Sequence, residues 1–183
     1  MSDLREIRKL FDHSKNFCKK RTVRKKDVLI QQGEVSNSIY FIQSGILRMW
    51  HNANGDDITL QFFEANQVLA SCESFYLQKP SKFTLEVIEK GEILEISKIK
   101  LNQILEQEPE IKEILMKYIY ERFIEYMNLF LSRIKNTPEQ RYIELIENYP
   151  DMVEKIPHHY LASYLGITPV SFSRIRARIK NKD

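Results

Sequence analysis

A short segment near residue 170 carries hydroxyl and arginine side chains along one predicted helix. Side chains of these types donate hydrogen bonds to phosphates and base edges when a helix lies in the major groove of double-stranded DNA. From Thr168 to Lys182 this segment contains basic residues and no acidic residue. We therefore expect it to bind double-stranded DNA. By position, we assign Ser171 and Arg174 to base edges, Thr168 and Ser173 to phosphates, and Arg178 and Lys180 to general positive charge.

The segment 160–175 has the layout of a helix-turn-helix. Ala162 is small at the position where two helices approach each other, and Gly166 suits the left-handed conformation of a sharp turn. Thr168 and Pro169 match a helix cap followed by proline at the first helical position. The alternative interpretation is a plain helical hairpin whose arginines are solvated. The order of these signals, followed by a basic tail without acids, favours the helix-turn-helix.

The region 27–97 is predicted to be rich in strands, because short runs of β-branched and aromatic residues are separated by glycine, asparagine and proline. Apolar and polar residues alternate within the runs, which indicates an antiparallel sheet. Many short strands at this spacing are typical of a small barrel or roll. The predicted strands are 28–30, 39–42, 46–50, 58–63, 83–88 and 93–96, with turns at Gly33, Gly45, Asn54-Gly55 and Gly91.

Beyond residue 97 the spacing of apolar residues changes to threes and fours, which predicts helices. Pro109 can start a helix, and the pattern then continues for about seven turns. Such a long stripe is more than a small roll can cover, so we predict that it forms the interface of a homodimer. The alternative is that the whole stripe packs on the roll. The predicted dimer contacts are Ile119, Phe123, Met127 and Phe130.

Composition limits the class of protein. The chain has 183 residues, 43% of them hydrophobic and 29% charged, as in an ordinary globular protein. With 28 basic and 25 acidic residues, the net charge of +3 does not by itself indicate a nucleic-acid partner. No apolar run approaches the roughly 18 residues that a membrane span needs, and residues 1–11 are charged throughout. We expect a cytoplasmic protein without a membrane partner.

Cysteine and histidine usage argues against most metal centres. Cys18 and Cys72 are remote from each other and lack CxxC spacing, so an iron–sulfur cluster is not expected. His13, His51 and Cys72 are the single candidates for a haem ligand, and no pattern supports them. A thiol switch at Cys72 stays open. No paired carboxylates, nucleophile–base pair or histidine cluster has useful spacing, so we expect neither a metal site nor an enzyme.

Taken together, the chain resembles the Crp/Fnr family of bacterial transcription regulators over essentially its whole length. The matching features are Gln32-Gly33-Glu34, the segment 40–48, the long helix and the terminal helix-turn-helix. The resemblance implies an α+β fold. Its predicted parts are an antiparallel β-roll of cyclic-nucleotide-binding type at 1–108, a dimerisation helix at 109–136, and an all-α helix-turn-helix domain at 137–183.

The resemblance also implies an effector pocket in the roll, which holds a cyclic phosphate in the family. Glu73 matches the acid that bonds a ribose hydroxyl, whereas Cys72 replaces a glycine. The second family motif should supply an arginine, and the matching stretch 79–84 contains Lys82 instead, which cannot bind a phosphate bidentately. Cyclic AMP is therefore not expected as the effector, whose identity stays unknown. The candidate pocket consists of Cys72, Glu73, Lys82, Thr84, Tyr126 and Met127.

The predicted function is that of a homodimeric transcription regulator that binds a palindromic operator. Its two recognition helices would enter successive major grooves about 34 Å apart. Arg174 matches a family arginine, but Val170 stands where the best-known members have an acidic residue, so a different operator sequence is expected. RNA polymerase is a candidate partner. The alternative hypothesis is a sensory or scaffold module whose helical tail binds protein rather than DNA.

Overall fold

Two long strands form the middle of a six-stranded antiparallel jelly roll. They are β3 (Ser38–Ala53) and β6 (Thr84–Ser97), which pair with each other along most of their length. The computed structural model describes Phe11 and residues 17–180. The four other strands flank this pair: β1 (Lys19–Val23) and β2 (Val28–Ile30) on β6, and β4 (Asp56–Phe63) and β5 (Val68–Leu69) on β3.

The turns predicted at Gly45 and Gly91 are wrong, because β3 and β6 each continue through the glycine as one strand. The two glycines lie opposite each other, where the pairing register shifts. A Cβ on Gly91 would stand 1.9 Å from the carbonyl oxygen of Ser44, and one on Gly45 would stand 2.7 Å from that of Glu89. Glycine is needed here because two backbone segments approach closely at a bulge. In the sequence, a glycine required for this reason looks the same as a glycine in a turn.

Replacing Gly91 with alanine is therefore expected to lower the free energy of unfolding by about 3 kcal/mol or more, because the added methyl group meets backbone that cannot move aside. Urea denaturation measures the change. Gly33→Ala is the control, since a Cβ at Gly33 meets nothing within 4 Å and only the strain of its φ of +94° is added. An equal loss in the two variants would contradict the close approach.

The basic run at 19–26 is partly a strand. β1 occupies Lys19–Val23 and pairs with β6. Lys20 forms an ion pair with Glu92 at 2.9 Å, and Arg21 forms one with Glu95 at the same distance. Part of this positive charge is thus neutralised across the strand pair.

Within residues 17–180, three helices surround and extend the roll. Two short ones, which were not predicted, are α1 (Cys72–Leu77) and α2 (Lys98–Gln107). The predicted long helix is α3 (Pro109–Lys135), which starts at its proline and runs for 27 residues. The hydroxyl of Tyr118 accepts a hydrogen bond from the backbone N–H of Val68 at 3.0 Å and so fixes α3 to β5. Despite this length, no helix in the described part of the chain is apolar enough to cross a membrane.

Four helices complete the fold: α4 (Pro138–Asn148), α5 (Pro150–Lys155), α6 (His158–Leu165) and α7 (Pro169–Lys180). The predicted caps are confirmed. Thr137 and Gln140 form a capping box at the start of α4, and Gly166 ends α6 in the left-handed conformation with φ of +68°. Only α5 was not predicted. The core of this part is continuous with the roll through Ile46, Phe62 and Ile88.

Candidate DNA interface and its contact with the roll

The start of α7 faces outward and is held in place by its apolar side. Phe172 is fully buried and Ile175 nearly so, which fixes the helix against α6 and α4. The Oγ1 atom of Thr168 accepts a hydrogen bond from the backbone N–H of Ser171 at 3.2 Å and caps the helix. Arg174 lies exposed on the outer side. The first two turns of α7 are thus free to enter a groove.

Four of the six predicted DNA contacts already bind within the chain. The hydroxyl of Thr168 donates to that of Ser171 at 3.0 Å. The hydroxyl of Ser173 donates to the carbonyl oxygen of Pro169 at 3.0 Å. Arg178 forms an ion pair with Glu139 on α4 at 3.0 Å. This pair is largely exposed and therefore weak, so a phosphate can compete for the guanidinium. Lys180 is exposed at the end of α7, and Lys182 lies outside the described residues.

The positive charge of α7 acts on the helix beside it. Burial, together with the charges of Arg176 and Lys180, lowers the pKa of His158 at the start of α6. Arg176 also lies beside Tyr142. Burial raises the pKa of Tyr142, and the charge of this arginine has the opposite, smaller effect. Sequence reasoning did not assign Arg176 a role, and the structure shows it half-buried between these two rings. The surface around α7 is electropositive, as a DNA interface requires.

The outer side of α6 packs on the roll instead of facing solvent. The hydroxyl of Ser163 accepts a hydrogen bond from the backbone N–H of Thr59 at 2.9 Å and donates to the carbonyl oxygen of Asp57. The ring of Tyr160 lies over the guanidinium of Arg48, with 3.6 Å between the ring centroid and Cζ. No local pattern in the sequence predicts either contact. They fix the first helix of the helix-turn-helix on strand β4.

Arg48 anchors this contact from inside the roll. It is 1% exposed, and its guanidinium has a partner for each nitrogen. Nε donates to Glu86 at 2.9 Å, Nη1 to the hydroxyl of Thr59 at 3.2 Å, and Nη2 to Asp57 at 3.0 Å. A buried charge needs such complete pairing. Its orientation, and hence the position of the Tyr160 ring, is therefore strongly fixed.

A third contact comes from the end of α3. Nη2 of Arg133 donates to the carbonyl oxygen of Leu60 at 2.9 Å, and its guanidinium lies 5.2 Å from the ring centroid of Tyr164 on α6. Tyr164 in turn packs on Phe62 of β4 with 5.5 Å between ring centroids. Roll, long helix and helix-turn-helix therefore meet at one junction. Each of the three parts therefore contacts the other two directly at this junction.

The predicted effector pocket is only partly assembled. Glu73 and Lys82 come together, as an ion pair at 2.9 Å. Thr84 is misassigned: it is fully buried in β6, and its Oγ1 accepts hydrogen bonds from Gln31 and from the backbone of Gln32. The hydroxyl of Thr84 thus has partners inside the roll and does not face a ligand.

The other pocket prediction that fails is Met127, which is 50% exposed on the side of α3 that faces away from the roll. A charged residue that α3 presents to the roll, Arg122, was missed. Its guanidinium lies 4.9 Å from the ring centroid of Tyr126 and is close enough to Cys72 to act on its pKa, although burial has the larger effect and raises that pKa. In the sequence Arg122 looks like any charged helix residue.

The cysteine and histidine candidates remain without a metal role. Burial raises the pKa of Cys18 to about 11, which keeps this thiol protonated. His51 bonds through Nδ1 to the carbonyl oxygen of Lys82 at 2.8 Å, and His13 lies outside the described residues. Within the described part of the chain, no group of three or more histidine, cysteine or acidic side chains could hold a metal.

One side of α3 is an uncovered apolar face. The four predicted dimer residues all lie on it, with exposures between 49% and 61%. The opposite side of the helix, with Ile111, Tyr118 and Arg122, is buried on the roll. A face of this size is rare on a monomer and typical of an interface. It comprises Met116, Ile119, Tyr120, Phe123, Met127, Phe130, Leu131 and Ile134.

Known families and proteins share features of this sequence and fold. The sequence model of the family described as cyclic nucleotide-binding domain matches residues 20–108, which contain all six strands with α1 and α2 apart from the first residue of β1. A segment of 111 residues is 26% identical to the anaerobic regulatory protein of Bacillus subtilis (strain 168). The match covers 60% of this chain and 47% of that protein, so it spans about half the length of the relative.

Solved structures share the fold over nearly the whole chain. The regulator CLP of Xanthomonas campestris, described as responsive to c-di-GMP, superposes with a TM-score of 0.76 at 14% identity and covers 96% of this chain and 92% of its own. A cyclic nucleotide-binding domain containing protein from Listeria monocytogenes EGD-e gives 0.73 at 21% identity, with 97% and 91% covered. At identities of 14% and 21%, these structures show similarity of fold alone.

Proposed function

Because the chain belongs to the Crp/Fnr family and carries a cyclic nucleotide-binding domain at residues 20–108, we propose that it is a DNA-binding transcription regulator. The family consists of transcription factors and not of enzymes. The observation that carries the proposal is the exposed, capped start of α7, with Arg174 outward and Phe172 buried behind it. Regulation of transcription would take place in the cytoplasm of a bacterium, with RNA polymerase as a further partner.

The proposal includes a homodimer on an inverted repeat. The apolar face of α3 supports this, since a second copy would bury it around a two-fold axis. Two copies of α7 related by that axis would contact two half-sites about 34 Å apart, which makes the operator a palindrome. Base contacts are assigned to Ser171 and Arg174, and phosphate contacts to Thr168, Ser173, Arg178 and Lys180.

We also propose that cyclic AMP is not the effector of this protein. The ammonium of Lys82 is paired with Glu73, the very acid that a ribose hydroxyl would need. Arg122 approaches from α3, but its Nη1 atom is paired with Glu125 and its Nη2 atom donates to Gln61 at 3.3 Å. A cyclic phosphate would have to break these contacts to be neutralised. This supports a different effector, or none, for the roll.

Selection from random duplex DNA tests the function. The purified full chain is incubated with the library without ligand, and the retained DNA is sequenced. We expect an enriched inverted repeat, with binding that weakens steeply as salt rises. A second selection, in the presence of small molecules from a cell extract, tests whether DNA binding requires an effector. If neither selection enriches a sequence, the tail does not recognise DNA, and a protein-binding module becomes the better hypothesis.

The assignment of Arg174 gives a sharper prediction. Arg174→Ala is expected to cost about 1–3 kcal/mol at the selected operator and to relax the preference at one base pair of each half-site. Lys180→Ala is the matched control, which should weaken binding to all sequences equally and reduce the salt slope by about 1. Fluorescence anisotropy over a range of salt concentrations measures both. If Arg174→Ala weakened all sequences equally, Arg174 would be a phosphate contact instead.

A further inference from the structure

A cavity of about 450 Å³ lies where the roll, α3 and the C-terminal helices meet. This volume falls within the range of small-molecule sites. Of the predicted pocket residues only Tyr126 lines it, so the cavity is distinct from the place of Glu73 and Lys82. Apolar side chains form part of its wall, among them Phe62, Leu145 and Met152. The cavity therefore offers an apolar surface together with polar groups.

The charged groups in the wall leave an excess of negative charge. Glu64, Glu125 and Glu144 face two arginines, Arg122 and Arg141. Arg122 is paired with Glu125, and the Nη2 atom of Arg141 donates to a backbone carbonyl oxygen at 2.7 Å. The arginines are thus partly occupied by the protein itself. Burial and the charge of Asp151 raise the pKa of Glu64, and the charge of Lys155, which is itself paired with Glu89, opposes them with the smallest effect.

Three tyrosine rings line the cavity, and two of them already hold a cation. Arg122 lies 4.9 Å from the ring centroid of Tyr126, and Arg133 lies 5.2 Å from that of Tyr164. Among the described residues, none places a cation over the third ring, Tyr149. After burial, the charges of Glu125 and Glu64 raise the pKa of Tyr149 and the charge of Arg122 lowers it with the smallest effect, so both carboxylates and this arginine lie near the ring. An aromatic ring with adjacent carboxylates is a general arrangement for binding an organic cation.

We propose that this cavity binds a small organic cation, an amine with an aromatic or apolar body, with its charge between the Glu64 carboxylate and the Tyr149 ring. The body of the ligand packs on the apolar wall. Binding of such an amine does not depend on the DNA-binding function. If the chain is a regulator, the bound cation favours the domain arrangement in which these walls face each other.

Three compounds of matched shape and different charge test the proposal: phenethylamine, 2-phenylethanol and phenylacetate. Binding to the full chain is measured by calorimetry and by ligand-observed NMR. We expect phenethylamine to bind at least tenfold more tightly than 2-phenylethanol, and phenylacetate to bind most weakly. Equal binding of the three, tighter binding of phenylacetate, or no binding of phenethylamine at millimolar concentration would overturn the proposal.

Substitutions in the cavity wall test where the amine binds. Glu64→Gln and Tyr149→Leu are each expected to weaken phenethylamine binding at least tenfold, whereas Tyr149→Phe keeps the ring and should bind nearly as the original chain does. Glu113→Gln, on the exposed side of α3 away from the cavity, is the control and should change nothing. Thermal unfolding confirms that each variant is folded. Full affinity in both Glu64→Gln and Tyr149→Leu would show that the amine binds elsewhere, even if DNA binding were as proposed.

Discussion

Replacing Phe123 with glutamate is expected to convert the proposed homodimer into monomers and to weaken operator binding at least about a hundredfold, because the second half-site is lost. Phe123 is 61% exposed at the middle of the apolar face of α3. In the dimer, two introduced carboxylates would be buried close to the two-fold axis, without a partner and facing each other. Analytical ultracentrifugation measures the oligomeric state, and fluorescence anisotropy measures binding.

Phe123→Met is the matched control, since it keeps an apolar side chain of similar volume and should leave the dimer intact. The glutamate variant should keep its folded structure, because the mutated side chain packs on nothing within its own subunit that requires a ring. A Phe123→Glu protein that still sediments as a dimer would show that another surface joins the copies. The apolar face of α3 would then need a different partner.

Removing Arg48 should have the largest effect on stability. Arg48→Ala is expected to lower the free energy of unfolding by about 3–5 kcal/mol, because Glu86 is then left buried without its counter-charge. The variant also loses the contact between the guanidinium and the Tyr160 ring, so α6 should detach from β4 more readily. Urea denaturation measures the stability, and hydrogen exchange of the α6 amides measures the detachment.

The double variant Arg48→Met, Glu86→Leu separates the two effects. It removes both charges at once, so most of the lost stability should return, while the contact with Tyr160 stays broken. Tyr160→Leu leaves the buried charge pair intact, removes the ring's contacts with Arg48 and Glu86, and should cost about 1–2 kcal/mol. A loss below about 1 kcal/mol in Arg48→Ala would show that Glu86 finds another partner or solvent, and that the buried charge pair is not essential.

Short-range signals in the sequence predicted the helical half of the molecule well. Thr137, Gly166 and Thr168 act on neighbours within a few residues, so their types alone indicate where helices begin and end. The same holds for the hairpin at Asn54-Gly55, where both residues have positive φ. The start of α7, and with it the candidate DNA interface, could therefore be predicted from the sequence.

Long-range requirements could not be predicted in this way. Gly45 and Gly91 look like turn residues, but each is needed because of a backbone segment that is remote in the sequence. The charges of Arg48 and Arg122 look like surface charges, because their partners Glu86 and Gln61 come from other elements. The junction between the roll and the helix-turn-helix was missed for this reason. Thr84 and Met127 were misassigned because a motif match does not show on which side of its element a residue lies.

The long pairing of β3 with β6 also determines the order in which the chain folds. Its residue pairs extend from Trp50 with Thr84 to Ser38 with Ser97, so this pairing must wait for β6, whereas the neighbouring β4 can pair with β3 earlier. Loop closure makes such pairing slow, whereas the capped helices that follow have local contacts and form fast. During synthesis the roll can close before α7 has left the ribosome. The last helices then emerge onto a roll in which Arg48 of β3 already lies beside the part of β4 that α6 contacts.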